Sequence, residues 1–264
     1  MGHRSHLNIL LIFTVFLAPL FAQAKPHNEG LLSSINLGVY YQSVIAKRGV
    51  TFYDDFEINP TIAFFFFDDR LEFLGDSIGY RDFVIPDQLR LRTRLSYVND
   101  DPFFPAREER RRSFVNRENT YEIINTAEWF LPSYSKDYRA EIDFNWAYDL
   151  KEHHGHYLEL LTKVKVTDFD FLSTKIEPQI FASVGWGQKS HNQYFYGPTA
   201  DEDGFNNLNY GLWLTLPETA DRFYPIVLLS HYEVLGDRNK HAQFAERNNQ
   251  GYLLTFIASV GLLD

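Results

Sequence analysis

The chain of 264 residues contains no cysteine. That excludes structural disulfides, thiolate metal sites and a cysteine nucleophile. It also excludes a lipid attached to an N-terminal cysteine, so any hold on a membrane must come from the fold. A basic surface is missing too. Lys and Arg number 25 against 35 Asp and Glu, a net charge of −10, whereas a phosphate backbone requires the opposite sign. Nucleic acid is therefore not an expected partner. Long apolar runs are lacking as well. Only Ile9 to Phe21 is continuous enough to matter, and at about thirteen residues it falls short of the roughly 20 that a spanning helix needs. Arg4 precedes it and Ala22-Gln23-Ala24 follows it, the arrangement of a secretory signal peptide cleaved after Ala24. The expected organisation is a signal peptide over 1–24 and one domain over 25–264. Export without disulfides is compatible with a bacterial envelope.

What the chain does have is alternation. In Ala140–Leu150, the residues Ala140, Ile142, Phe144, Trp146, Tyr148 and Leu150 share one face, while Glu141, Asp143, Asn145, Ala147 and Asp149 share the other. Side chains of a strand alternate with period two, so this is a strand with one apolar and one acidic side. Its length exceeds the roughly five or six residues of an ordinary strand and matches the roughly 9–11 of a strand that crosses a bilayer. Gln88–Val98 repeats the pattern with Leu89, Leu91, Thr93, Leu95 and Tyr97 opposite Arg90, Arg92, Arg94 and Ser96. Thr120–Leu131 carries Glu122 and Glu128 on its polar side, and Tyr157–Thr167 carries Glu159, Lys163 and Lys165.

Eleven strands are readable in this way, the others being Ser34–Ile45, Glu57–Phe67, Leu71–Arg81, Thr174–Gln188, Phe205–Leu216, Arg222–Gly236 and Gln250–Leu263. No helix of ten or more residues, linker or repeat interrupts them. A soluble sandwich also alternates, but it turns its charges outward. Here the strands are long, aromatics cluster toward their ends (Tyr97, Tyr121, Trp129, Tyr148, Tyr157, Trp186, Tyr210), and charges on neighbouring polar faces are complementary. The expected fold is all-β, an antiparallel up-and-down transmembrane β-barrel in a single domain. Single-chain barrels have an even number of strands, so twelve are expected, with ten as the alternative and the unread strand between Ala46 and Asn119. A lumen shared by Arg90, Arg92, Arg94, Lys163 and Lys165 with Glu122, Glu128, Glu141, Asp143, Asp149 and Glu159 would be plugged by cross-strand ion pairs.

With Tyr194-Phe195-Tyr196-Gly197 the chain resembles the MipA/OmpV family of outer-membrane proteins, the MltA-interacting proteins, which carry a Tyr-Tyr-Gly-Val-like segment at this stage. The resemblance covers nearly all of the mature chain, from about Ile35. Tyr194, Tyr196 and Gly197 carry the motif. Gly38-Val39, Pro60, Ile62, Phe64, Gly79-Tyr80, His154-Gly155 and Glu177-Pro178 agree with it in order. Pro198, Ser230-His231 and the ending Leu263-Asp264 depart from the family pattern. The resemblance implies a non-enzymatic barrel in the cell outer membrane, surrounded by outer-membrane lipid. It further implies a scaffold or surface-interaction role whose partners are murein hydrolase and synthase proteins, linked to peptidoglycan remodelling. A narrow channel for small solutes is the alternative.

Catalytic and metal chemistry find little support. Ser230 and His231 are adjacent in a strand and point to opposite faces, and Ser190-His191 lies in a loop with no acid fixed beside it, so neither forms the nucleophile–base pair that catalysis needs. The basic cluster Arg107, Arg110, Arg111 and Arg112 is read as a solvated loop, with contact to lipopolysaccharide phosphates as the alternative if that loop faces outward. His153, His154 and His156 crowd a hairpin beside Glu152. His154 and His156 would share a face in extended chain, as in a surface metal site, but they are read as polar turn residues. No catalytic residue, cofactor or metal is expected.

Overall fold

The computed structural model describes residues 32–42, 45–47, 50–53, 57–67, 70–98, 119–131, 140–171, 174–215, 223–242 and 250–261. The expected signal peptide, the arginine cluster at 107–112 and the chain end at 263–264 lie outside the described residues. Alternating runs become strands in chain order: β1 (Leu32–Gln42), β2 (Ile45–Lys47), β3 (Val50–Tyr53), β4 (Glu57–Phe66), β5 (Leu71–Leu74), β6 (Ser77–Ile85), β7 (Leu89–Val98), β8 (Thr120–Leu131), β9 (Ala140–Asp149), β10 (His156–Lys165), β11 (Phe169–Phe171), β12 (Thr174–Gly187), β13 (Gly204–Thr215), β14 (Phe223–Val234) and β15 (Gln250–Gly261). Two short helices, α1 (Lys189–Tyr196) and α2 (Asp237–Lys240), sit between strands.

β1 pairs with both β4 and β15, and β10 pairs with β12, so the sheet closes on itself. β11 pairs with Thr174–Ile176 and prolongs the stave begun by β10. The ring is therefore a twelve-stranded antiparallel meander, and β2–β3 form a separate hairpin. The twelfth strand comes from the segment Leu71–Arg81, which is two strands and not one. Gly75 takes φ +62° in the two-residue Gly75-Asp76 turn, the left-handed conformation that such a hairpin needs and that glycine adopts without strain.

The strand ends that flank 43–56, 99–119, 188–203 and 235–249 lie at one end, the loop end, together with the β9–β10 turn. Shorter links, such as 86–88, lie at the other end, the turn end. Polarity is inverted relative to a soluble barrel. Phe144 is 48% exposed while its neighbour Asp143 is 5% exposed, and Trp129, Leu160, Ile180, Tyr210 and Tyr252 also face outward. Glu72, Glu122, Glu128, Asp149, Ser183 and Asn207 are buried inside.

Candidate functional site: a charged lumen beneath a packed mouth

Registration of neighbouring strands brings the inward charges to one wall. Arg90 is level with Glu128 and Arg92 with Arg81. Arg90 Nε donates to Glu128 Oε2, and Arg92 lies 3.5 Å from Glu128 Oε1 and 2.8 Å from Glu72 Oε2. Arg81 reaches the same Glu72 at 3.9 Å. Aromatic faces steady the arginines, with Arg81 over Phe65 at 5.2 Å and Arg90 over Phe83 and Phe130 at 5.5 and 5.2 Å, a favourable contact for a delocalised cation. Across the β9–β10 pair, Lys163 Nζ is 2.9 Å from both Glu141 Oε1 and Asp143 Oδ2. Lys165 bridges Glu177 at 3.0 Å and Asp168 at 3.2 Å.

At the loop end the chemistry is different. Asp149 closes β9 with both oxygens fully engaged. Oδ1 accepts backbone N–H groups from Lys151, Glu152, His153 and His154 at 2.8–3.1 Å, and Oδ2 accepts the Thr120 hydroxyl. This carboxylate fixes the β9–β10 turn in which His154 takes φ +48°. Gly155 in that turn lets α1 come close, because a Cβ there would meet Ser190 Oγ at 2.5 Å and His191 N at 2.7 Å. His191, fully buried, then stacks on the lumen-facing Tyr157 with ring centroids 5.0 Å apart. Phe195, Tyr196, Ala200, Val234 and Ala242 form a closed apolar cluster behind it. Asn192 ties α1 to the strands, donating to Gly187 O at 3.1 Å and Glu202 O at 2.8 Å while accepting from Asn206 Nδ2 at 3.0 Å. Outside this plug, Arg238 of α2 pairs with Asp201 and, at 2.9 Å, with Glu202. The guanidinium beside Asp201 holds that carboxyl below the usual carboxylate range.

Glu122, His153 and His191 each bring one ligand atom within 4.8 Å of the others, a donor set that a divalent cation takes. His153 does not fit the role. Its Nδ1 accepts the Gly155 N–H at 3.0 Å, which leaves the ring proton on Nε2, facing Asp149 Oδ2 at 3.5 Å. A metal requires a bare nitrogen, and the hydrogen bond accepted at Nδ1 keeps the ring proton on Nε2. The group is the packing of the mouth.

Of the inward charges expected from the sequence, Arg90, Arg92, Glu128, Glu141, Asp143, Lys163 and Lys165 are in ion pairs. Glu122 and Asp149 point inward but join the histidine-rich mouth. Glu159 accepts from Asn145 Nδ2 at 3.2 Å, and Arg94 makes no hydrogen bond or ion pair among the described residues. Glu72, Arg81, Asp168 and Glu177 enter the network without having been foreseen. Tyr157, expected in an outer aromatic girdle, points inward and donates to Asn207 Oδ1 at 3.0 Å. Tyr194 and Tyr196 belong to α1, and Gly197 caps it with φ +120°. Ser230 is buried on the inner face, whereas His231 packs outside between Tyr210 and Tyr252.

No protein-family model matches the chain, and no curated protein does. Solved structures similar to it include an outer membrane channel from Pseudomonas putida F1, at 10% identity over 91% of this chain and 100% of that one, TM-score 0.48. The KdgM porin is 10% identical over 86% of this chain and 98% of its own, TM-score 0.38. LpxR from Salmonella typhimurium is 8% identical over 86% and 99%, TM-score 0.45.

Proposed function

We propose that the protein is a non-enzymatic outer-membrane barrel of the MipA/OmpV type, acting as a scaffold or surface-interaction protein. The outer-membrane reading rests on the inverted polarity of the wall, on strands long enough to cross a bilayer, and on long loops at one end against short links at the other. In that orientation the loop end faces outward. The observation that carries the scaffold role is the filling of the lumen: wall charges pair with one another, and α1 with its apolar cluster occupies the mouth. Such an interior is built to be filled, which leaves the two ends as working surfaces. By family likeness the partners are murein hydrolase and synthase proteins. Crosslinking in intact cells, followed by identification of co-purified envelope proteins, tests this. Recovery of the protein in the soluble fraction without detergent overturns it.

A narrow channel is the second reading, favoured by cavities of about 210 and 690 Å³ along the lumen. In planar bilayers the scaffold reading expects no steady current. An ion-selective current that changes on Arg92→Ala would establish the channel instead. The membrane orientation of the wall has its own test. Phe144→Arg, on the outward face of β9, should cost roughly 2–4 kcal/mol of insertion and deplete the membrane fraction, while Asp143→Asn on the inward face should insert normally. The opposite ranking would mean that the wall has been assigned inside out.

A further inference from the structure

Between the packed mouth and the ion pairs lies the cavity of about 210 Å³, room for about seven waters and too small for a drug-sized ligand. Arg94 from β7 and Glu159 from β10 both line it, on walls of opposite charge balance. On β5–β8 four inward arginines, Arg81, Arg90, Arg92 and Arg94, outnumber three inward carboxylates, Glu72, Glu122 and Glu128, of which Glu72 and Glu128 pair with arginines. On β9–β10 the carboxylates Glu141, Asp143 and Glu159 outnumber two lysines, Lys163, held by Glu141 and Asp143, and Lys165, taken by Glu177 and Asp168. A positive stretch of wall thus adjoins a negative one along the β8–β9 pair. Among the described residues, Arg94 and Glu159 are the members of these stretches without an ion pair.

Their placement keeps them apart. Three inter-strand steps of about 4.8 Å separate β7 from β10, and no ion pair joins the two side chains among the described residues. The Arg94 stem lies across Gly79, where a Cβ would meet its Cγ at 2.5 Å, so the chain keeps glycine there to seat it. Asn145 holds the Glu159 carboxylate at 3.2 Å and is itself fixed by Thr126 at 2.6 Å. Asn209 lines the same cavity with a buried Oδ1 that accepts no hydrogen bond from the described residues. Leu253 and Ala147 complete the wall with apolar surface.

We infer that this cavity binds a small zwitterion of amino-acid size, its carboxylate on the Arg94 guanidinium and its ammonium toward Glu159 and Asn209 Oδ1. Charge-assisted hydrogen bonds of this kind are the strong ones. A simple anion is disfavoured by Glu159 and a simple cation by Arg94, so both ends of the solute are needed. The inference goes beyond the scaffold reading, and a barrel that conducts would hold the same site.

The test uses the full-length protein in detergent micelles, ligand-observed saturation-transfer NMR, and three probes of similar size: L-alanine, propionate and isopropylamine. L-alanine should bind about tenfold or more tightly than either probe that carries one charge. Arg94→Gln should weaken L-alanine by about tenfold. Glu159→Gln should invert the preference, so that propionate binds better than L-alanine, a change that mere loosening of the barrel would not produce. The surface variant Lys175→Gln, at an exposed lysine near the turn end, should match wild type. Equal binding of L-alanine and propionate to wild type, or no change in preference in a folded Glu159→Gln barrel, overturns the inference.

Discussion

The two ends of this barrel bury charge by different means. At the loop end Asp149 is fully buried and held by four backbone amides, a threonine hydroxyl and a histidine ring. Toward the turn end, Lys163, Lys165, Glu141 and Glu177 line a cavity of about 690 Å³ and are satisfied chiefly by other side chains. Backbone donors are fixed by the fold, whereas side-chain partners can turn away and find water. The same residue types are therefore a keystone at one end and an adjustable lining at the other.

The largest effect is expected from Asp149→Ala. It strands four turn amides and should cost about 3–5 kcal/mol, read as a lower urea midpoint in micelles. Asp149→Asn keeps an acceptor oxygen for those amides and should recover part of the loss. Lys163→Met removes the cation shared by Glu141 and Asp143. Because these groups are partly solvated, the cost should be only about 1–2 kcal/mol. A Lys163 variant more damaging than the Asp149 one would reverse the contrast between the ends. The smallest effect belongs to the exposed clamp from α2 to the residues after α1. Asp201, held low by Arg238, supports the clamp at neutral pH and releases it as pH falls through that lowered value. Amide exchange in α1 should thus be faster in Arg238→Gln than in wild type at pH 7. The two should converge in acid, and a difference that persisted there would remove Asp201 from the clamp.

Much of this was legible in alternation. The inward faces of β7, β8, β9 and β10 follow from parity alone, because a strand has only two sides. The hairpin at Gly75 was hidden for the same reason. Read as one strand, Leu71–Arg81 puts Glu72 and Arg81 on opposite faces, yet the two-residue turn shifts the parity and sends both inward, 3.9 Å apart. Glu122 and Asp149 were assigned the correct face and different partners. Their neighbours His153 and His191 come from separate connections that only the closed barrel brings together. No spacing in the sequence records that meeting, although the pairing of a small residue, Gly155, with a histidine-rich turn marks where a close approach is made.

The ring of hydrogen bonds is not equally thick all round. β5 contributes four residues, paired as Ala63–Phe66 with Leu71–Leu74 on one side and Leu71–Leu74 with Ser77–Tyr80 on the other, while β14 and β15 are joined over eleven positions. A hoop under tension parts at its narrowest weld. The seam between β4 and β6 is that place, where the wall would unzip first under force and where, during assembly, the fewest bonds hold one part of the sheet to the next.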